Sequence, residues 1–329
     1  MDSITSRIDA VTNIPPEYLN TICPPPPSIK TETSNRCNYK CSFCSLRTRE
    51  NPGKEDMPWE SLKHVIDITR AAGVDEYGCF YLGESTMAPD LLEREIRYAK
   101  EIGFPYVFLT TNGSLLTPDM AFNLMMAGLD SLKFSINAAD NEQFEEVMGV
   151  KAKNYRAALH NLQGARMIRD VYGFKTRIYA SYIQFDGEQA ERMEALLDEH
   201  VRPYADEVYA LPLYSMGLRA AEIEEATGYK PTHGNQGRVG AIRQGIPCWS
   251  VFKEAHVRIN PDNGHPILAA CCFGSDSRFD ICDLMDYDNF MDAWNHDKLQ
   301  EIRQAHLDCL KTGNTDPLKG TMCQVCVAY

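Results

Sequence analysis

Between residues 28 and 214 the chain alternates short apolar runs with longer stretches in which apolar positions recur at helical spacing. The short runs are rich in Val, Ile, Tyr and Phe and have the length of buried strands. The longer stretches indicate amphipathic helices, several of which begin at a proline. Six strands are predicted, at 28–34, 77–83, 105–110, 131–137, 175–183 and 206–213. Five helices are predicted between them, at 59–72, 89–103, 118–127, 154–172 and 187–201.

This alternation predicts an α/β fold built from βαβ units with a parallel sheet and right-handed crossovers. The pattern alone leaves open a doubly wound sheet or a barrel. Four regions are expected: an irregular N-terminal lead-in at 1–27, the α/β domain at 28–214, a glycine-rich linker or active-site segment at 215–247, and a small domain at 248–329. The last of these is predicted to hold a hairpin, with strands near 256–260 and 267–270, and a helix near 287–306.

Unusual polar motifs follow the first four predicted strands. Three cysteines come after strand 1, and Gly83-Glu84-Ser85 closes strand 2. Thr110-Thr111-Asn112-Gly113 closes strand 3, and Ser135-Ile136-Asn137 closes strand 4. Because the carboxyl ends of parallel strands meet at one edge, catalytic and binding groups are expected there in either architecture.

Composition narrows the class of protein. The 329 residues carry a net charge of −13, which argues against nonspecific binding to nucleic acid or to an anionic membrane. No apolar run is long enough for a transmembrane helix, and the first residues lack the order of a signal peptide. The twelve cysteines are then expected to serve metal binding in a reducing cytoplasm rather than a disulfide framework.

The cysteines after strand 1 are Cys37, Cys41 and Cys44, at spacing C-x3-C-x2-C. Thiolates this close can converge on one metal centre, and iron–sulfur clusters are usually held by four of them. Three ligands would leave one iron of a cubane open for chemistry. The alternative is part of a zinc site, although no fourth Cys or His follows at the usual spacing.

This motif, with Phe43 just before its last cysteine, resembles the cluster-binding signature of the radical S-adenosylmethionine (SAM) superfamily. The resemblance implies that Cys37, Cys41 and Cys44 hold a [4Fe–4S] cluster whose open iron binds SAM. Reductive cleavage of SAM would then produce a 5′-deoxyadenosyl radical that removes hydrogen from a substrate. The resemblance also decides between the two architectures, in favour of a partial (β/α)6 TIM-like barrel.

The same resemblance assigns SAM-binding roles to residues at the strand ends. Gly83 and Glu84 resemble the second half of a Gly-Gly-Glu motif that meets the SAM amino group, with Leu82 in place of its first glycine. The remaining SAM-facing candidates are polar residues on strands 3, 4 and 5, namely Asn112, Ser135, Asn137, Arg177 and Ser181.

A second group of cysteines lies in the last 82 residues. Cys248 precedes the predicted hairpin, the pair Cys271-Cys272 follows it, and Cys323-Gln-Val-Cys326 lies near the end. Four such thiolates would suit a zinc ribbon or an iron–sulfur cluster. The order of these motifs resembles the SPASM/twitch extension of radical SAM enzymes. That resemblance implies an auxiliary [4Fe–4S] cluster held by Cys248, Cys271 or Cys272, Cys323 and Cys326.

Two centres of this kind imply a C–H-modifying oxidoreductase. Transfer of an electron to the auxiliary cluster would give net oxidation, whereas return of a hydrogen atom from a thiol would give epimerisation. Cys79 and Cys282 are the candidate hydrogen donors. The expected substrate is a small polar metabolite such as a sugar, aminosugar or nucleoside, or else a peptide, and the expected electron donor is a flavodoxin or ferredoxin. The alternative from another class is a zinc-binding scaffold without redox activity.

Overall fold

A computed structural model describes residues 3–48, 53–183, 187–211, 247–272, 274 and 277–324. Nearly all of the predicted segment 215–247, and Cys326, lie outside the described residues. All six predicted strands of the α/β domain are present, and three more follow them. The strands are β1 Ser28–Thr31, β2 Glu76–Gly78, β3 Tyr106–Thr111, β4 Ser131–Ser135, β5 Arg177–Ile183, β6 Glu207–Leu211, β7 Glu254–Ile259, β8 Pro266–Ala269 and β9 Asp280–Asp283.

These strands form one sheet in the order β6-β5-β4-β3-β2-β1-β7-β8-β9. Strands β1 to β6 pair in parallel with their neighbours, and the sheet stays open, which confirms the prediction of a partial barrel. The C-terminal hairpin is not separate from it, because β7 pairs in parallel with β1 and places His256 beside Lys30. The antiparallel pairs among the described strands are β7 with β8 and β8 with β9. The C-terminal cysteines are therefore attached to the first barrel strand.

The predicted helices are also present. The helices described are α1 Ile4–Thr12, α2 Trp59–Ala71, α3 Pro89–Glu101, α4 Pro118–Met126, α5 Asn141–Met148, α6 Lys153–Tyr172, α7 Glu188–Leu196, α8 Ser250–Lys253, α9 Phe290–Trp294 and α10 Asp297–Thr312. The helix predicted at 287–306 is thus two helices, α9 and α10. Among the described helices, none combines the length and hydropathy that a membrane span needs.

Three of the described helices are absent from the prediction, namely α1, α5 and the short helix α8. Helix α5 begins at Asp140, whose carboxylate accepts from the Gln143 backbone N–H at 2.9 Å, and it ends at Gly149 with a left-handed φ of 63°. Helix α1 lies within the stretch predicted to be irregular, so that prediction is wrong for residues 4–12. This helix contacts a strand that is far away in sequence, because the Ile4 N–H donates to the carboxylate of Glu207 on β6 at 2.9 Å.

The α1 helix covers the amino ends of the strands. The Arg7 guanidinium lies 3.8 Å from the centre of the Tyr106 ring and forms an ion pair with Glu76 on β2. Together with Ile4 and Ile8, it forms one end of a cavity of about 300 Å³ that is lined by the inner face of the sheet. The sheet therefore has an interior space, and α1 forms its floor.

Candidate active site

The cysteine loop between β1 and α2 is held against helix α5. The backbone N–H groups of Lys40 and Ser42 donate to carbonyls in the last turn of α5, at 3.0 and 2.8 Å. Two further N–H groups point at sulfur, from Tyr39 to Cys37 Sγ and from Leu46 to Cys44 Sγ, both at 3.4 Å. Backbone donors to sulfur favour a ligating thiolate over a free thiol.

Cys41 is half-buried, as are Cys37 and Cys44. Burial, together with the neighbouring thiols of Cys44 and Cys37, raises its pKa well above the ordinary value. Cys41 Sγ also lies 3.3 Å from the sulfur of Met148 on α5. A thiol in this setting stays neutral until a cation such as iron replaces its proton.

The predicted ligand set does not form a site for one metal ion. A single ion requires its ligand atoms to meet at one point, and no three His, Cys, Asp or Glu side chains do so within the described parts of the chain. A cubane cluster makes no such demand, because each thiolate binds a different iron. The donor set in the loop, three cysteines with backbone N–H groups directed at the sulfurs of Cys37 and Cys44, suits a cluster.

Strand β2 ends at Gly78 rather than at the predicted residue 83, so Gly83 and Glu84 lie in the loop that follows it. The Glu84 side chain joins this loop to the end of β3. Its buried carboxylate accepts hydrogen bonds from the Thr86 and Thr111 hydroxyls, each at 2.7 Å, and from the Asn112 backbone N–H at 2.8 Å. The Asn112 side chain in turn donates to Asn38 in the cysteine loop at 2.8 Å. The structure thus connects the predicted residues Glu84 and Asn112 to the cysteine motif through one hydrogen-bond network.

Gly83 stands at a close approach of two backbones. A Cβ at this position would lie 1.8 Å from the carbonyl oxygen of Ser34, a distance that no side chain tolerates. The Gly83 N–H also donates to the Glu32 carboxylate at 3.2 Å. The glycine is therefore required by packing beside the cysteine loop, whatever its role toward SAM.

Three of the polar candidates on strands 4 and 5 lie together. Ser135 is the register partner of Ser181, and the Asn137 side chain accepts from the Ile183 N–H at 3.0 Å. Arg177 lies at the opposite end of β5, where its guanidinium faces Asp206 at 3.7 Å. The structure therefore brings Ser135, Asn137 and Ser181 to the carboxyl edge and leaves Arg177 at the amino edge.

The two candidate hydrogen donors lie away from the cavity. Cys79 is fully buried beneath α3, where the carboxyl group of Glu95 is its neighbour. Cys282 lies on β9, and burial raises its pKa to about 12. Neither residue is part of the cavity wall as far as the described residues define it.

The C-terminal cysteines do reach the cavity. Cys248, Cys271 and Cys272 all contribute to its wall. The turn that carries the last two is attached to the barrel by Tyr81, whose hydroxyl donates to the Cys271 carbonyl at 2.6 Å and to the Gly274 carbonyl at 3.1 Å. The structure therefore places part of the second cysteine group beside the interior of the barrel.

Sequence reasoning missed His306, which connects two of the predicted ligands. It is fully buried on α10; its Nδ1 accepts from the Cys248 backbone N–H, and its Nε2 lies near Cys323 Sγ, both at 3.4 Å. Because a backbone N–H can only donate, Nδ1 is unprotonated and Nε2 carries the proton toward the sulfur. Burial lowers the pKa of His306 to about 4 and keeps the ring neutral. A lone histidine in a helix carries no sequence signal for this position.

A family model described as the radical SAM superfamily matches residues 31–199, which include the cysteine loop and strands β2 to β5 of the barrel. The chain belongs to the radical SAM superfamily. Its cofactors are accordingly a [4Fe–4S] cluster and SAM, and its chemistry is SAM-dependent radical chemistry catalysed by an enzyme.

Curated relatives match part of the chain. A protein of Thermoplasma volcanium named probable GTP 3′,8-cyclase is 32% identical over 127 residues, which is 39% of this chain and 38% of that protein. A protein of Saccharolobus solfataricus with the same name is 32% identical over 124 residues, 38% of this chain and 39% of that one. The chain thus spans less than two-fifths of the length of these relatives.

Solved structures share the fold over most of the chain. BtrN in complex with AdoMet and 2-DOIA has a TM-score of 0.56 at 14% identity and covers 92% of both chains. Streptococcus suis SuiB bound to its precursor peptide SuiA has a TM-score of 0.62 at 15% identity, covering 92% of this chain and 77% of SuiB. At these identities the likeness establishes the fold alone.

Proposed function

We propose that this enzyme removes a hydrogen atom from a C–H bond of a small polar metabolite, of the sugar, aminosugar or nucleoside type, with net oxidation or epimerisation. SAM, cleaved reductively, supplies the abstracting radical. The observation that carries the proposal is the cavity of about 300 Å³ on the inner face of the sheet, whose wall includes three cysteines of the second group. Its volume is at the lower end of the range for small-molecule sites.

In this proposal Cys37, Cys41 and Cys44 hold the SAM-binding cluster. Asn112, Ser135, Asn137 and Ser181, together with the backbone at Gly83-Glu84, would face SAM from the carboxyl edge of the sheet. Arg177 is the weakest of the predicted contacts, because it lies four residues before Ser181 on the same strand. At about 3.3 Å per residue, this places it roughly 13 Å away along the strand.

A second cluster is proposed for Cys248, Cys323, Cys326 and one of Cys271 and Cys272. The support is chemical: Cys248 and Cys323 both contact one histidine, and the Cys271 turn shares the cavity wall with Cys248. A cluster here would lie beside the substrate space. An electron acceptor at that position suits oxidation, and a flavodoxin or ferredoxin is the proposed external electron donor.

A peptide substrate is the second candidate. SuiB and anSMEcpe are crystallised with peptides and cover about nine-tenths of this chain, at TM-scores of 0.62 and 0.55. At about 300 Å³ the cavity of this chain is small for a peptide, and α1 lies across its end at the amino edge of the sheet. The small cavity therefore favours the metabolite.

The decisive experiment starts from anaerobically reconstituted protein. We expect about eight iron atoms per chain, since each of the two clusters holds four, and formation of 5′-deoxyadenosine from SAM and reductant. Replacing Cys37, Cys41 and Cys44 together by Ala should abolish that product. Cys309→Ala, which removes a buried cysteine outside the proposed ligands, is the matched control and should keep it.

The outcomes separate the alternatives. Continued formation of 5′-deoxyadenosine by the triple variant would contradict the assignment of the first cluster. A colourless protein with bound zinc and no iron would favour the non-redox scaffold. Incubation with deuterated candidate sugars, nucleosides and peptides then identifies the substrate class, because deuterium appears in 5′-deoxyadenosine only when the radical meets its substrate.

A further inference from the structure

The cavity wall carries an uneven set of charges. Arg7 forms an ion pair with Glu76, and Lys30 forms one with Glu254 at 2.7 Å. Lys133 on β4 also lines the cavity, and no carboxylate of the described residues lies within ion-pair distance of its amine. The described residues of the wall thus form two ion pairs and leave one cation, Lys133, in excess.

The amine of Lys133 lies between aromatic rings on the inner face of the sheet. Its Nζ lies 5.9 Å from the centre of the Phe80 ring and 6.0 Å from that of Tyr209, contacts that favour a cation only weakly. Lys133 is half-buried because part of its surface faces the cavity. Burial, and then the nearby Lys30, lower its pKa to about 7, while Glu254 opposes the shift. A charged amine here is therefore short of a partner.

Lys133 lies close to the carboxyl edge of the sheet, where SAM is proposed to bind. It lies two residues before Ser135, and side chains two apart on a strand share a face at about 6.6 Å. Lys133 therefore projects from the same face of β4 as Ser135, one step deeper in the barrel. A molecule that fills the cavity and reaches the carboxyl edge would pass this amine.

We propose that the cavity takes a small metabolite bearing an anionic group, a phosphate or a carboxylate, and that this group pairs with Lys133. The inference rests on the proposed function in that it takes the cavity as the substrate site, and it narrows the substrate class. An incoming anion would supply the counter-charge that the wall lacks. Two buried hydroxyls of the same wall, of Ser28 and Ser250, have no hydrogen-bond partner among the described residues and suit a polar ligand.

The test is calorimetric binding to the reconstituted enzyme with three sugars of similar size. Glucose 6-phosphate supplies the phosphate, glucuronate the carboxylate, and glucose neither. We expect at least one anionic probe to bind about tenfold or more tightly than glucose, as a charge-assisted hydrogen bond allows. Preference for one anion over the other identifies the group. Lys133→Met should remove the preference, and Lys133→Arg should largely restore it.

A matched control is Lys151→Met, because Lys151 is exposed on the outer surface, with 82% of its side chain accessible. It should bind all three probes as the unaltered enzyme does. Thermal unfolding of each variant shows that the fold is intact. If Lys133→Met keeps the full preference, or if the unaltered enzyme binds glucose as tightly as both anions, the inference is wrong.

The pH dependence gives a second readout. Glucuronate stays ionised throughout, so its affinity should fall about tenfold between pH 6.5 and 8.5 as the free Lys133 loses its proton. Lys133→Arg should remove this fall, and a fall that persists in it would contradict the inference. Both enzymes keep the other titratable and charged groups of the cavity wall. These are Arg7, Lys30, Glu76, Tyr106, Tyr179, Tyr209, Cys248, Glu254, Cys271 and Cys272. Absence of 5′-deoxyadenosine formation by the unaltered enzyme would overturn the proposed function and leave the binding result standing.

Discussion

Burial of the Glu95 carboxyl group should make the stability of the protein depend on pH. Helix α3 holds this group fully buried against β1 and β2, where the hydroxyls of Thr33 and Tyr77 donate to it at 2.7 and 3.0 Å. Because burial outweighs these hydrogen bonds, the pKa of Glu95 rises from 4.5 to about 8. The folded protein keeps this group protonated at neutral pH, whereas the unfolded chain loses the proton above about pH 4.5.

The direction of the effect follows from proton linkage. Between pH 4.5 and 8 the folded state binds one proton more than the unfolded state, so raising the pH lowers the free energy of unfolding. Each pH unit in this window corresponds to about 1.36 kcal/mol. Glu95→Gln keeps the shape of the side chain and removes the titration. From pH 5 to pH 8 the stability difference should therefore shift by about 4 kcal/mol in favour of Glu95→Gln.

The assay is urea unfolding followed by tryptophan fluorescence at several pH values between 5 and 8, under anaerobic conditions. Glu93→Gln is the matched control, because Glu93 lies on the same helix in an ion pair with Arg97 at the surface. Its effect should be below about 1 kcal/mol. Parallel pH profiles for the unaltered protein and Glu95→Gln would refute the reasoning, since they would mean that Glu95 titrates alike in both states.

Three further predictions concern the two cysteine groups. Gly83→Ala should abolish 5′-deoxyadenosine formation and lower the unfolding temperature, because its Cβ would meet a backbone carbonyl at 1.8 Å; near-normal values of both would contradict the packing argument. His306→Gln should change the midpoint potential of the proposed auxiliary cluster without loss of iron, because the N–H to Cys323 is altered; an unchanged potential in a redox titration would argue against that contact. Tyr81→Phe should cost about 1 kcal/mol in urea unfolding, since its hydroxyl no longer donates to the Cys271 carbonyl, and a stability equal to that of the unaltered protein would count against this anchor.

Much of the barrel could be predicted from the sequence. The alternation of apolar runs and amphipathic stretches determines the six parallel strands and their helices, because each element must bury its own apolar face whatever its neighbours are. The spacing of Cys37, Cys41 and Cys44 is equally local, and it led to the superfamily that the family model confirms. Helix α1 was missed because its apolar positions are few, and its place depends on contacts with Glu76 and Glu207 far along the chain.

The tertiary structure decided how these local elements are combined. Pairing of β7 with β1 made the C-terminal hairpin part of the barrel sheet, and it brought Cys248 and Cys271 to the cavity wall. Packing of the helices on the sheet also places Cys79 beside Glu95, away from the cavity. Lys133, in contrast, lines the cavity. Strand register determines which side chains share a space and burial determines their charge; both arise only when distant segments pack together. The sequence by itself determined the type of chemistry, and the packing decided which residues surround the space where a substrate is proposed to bind.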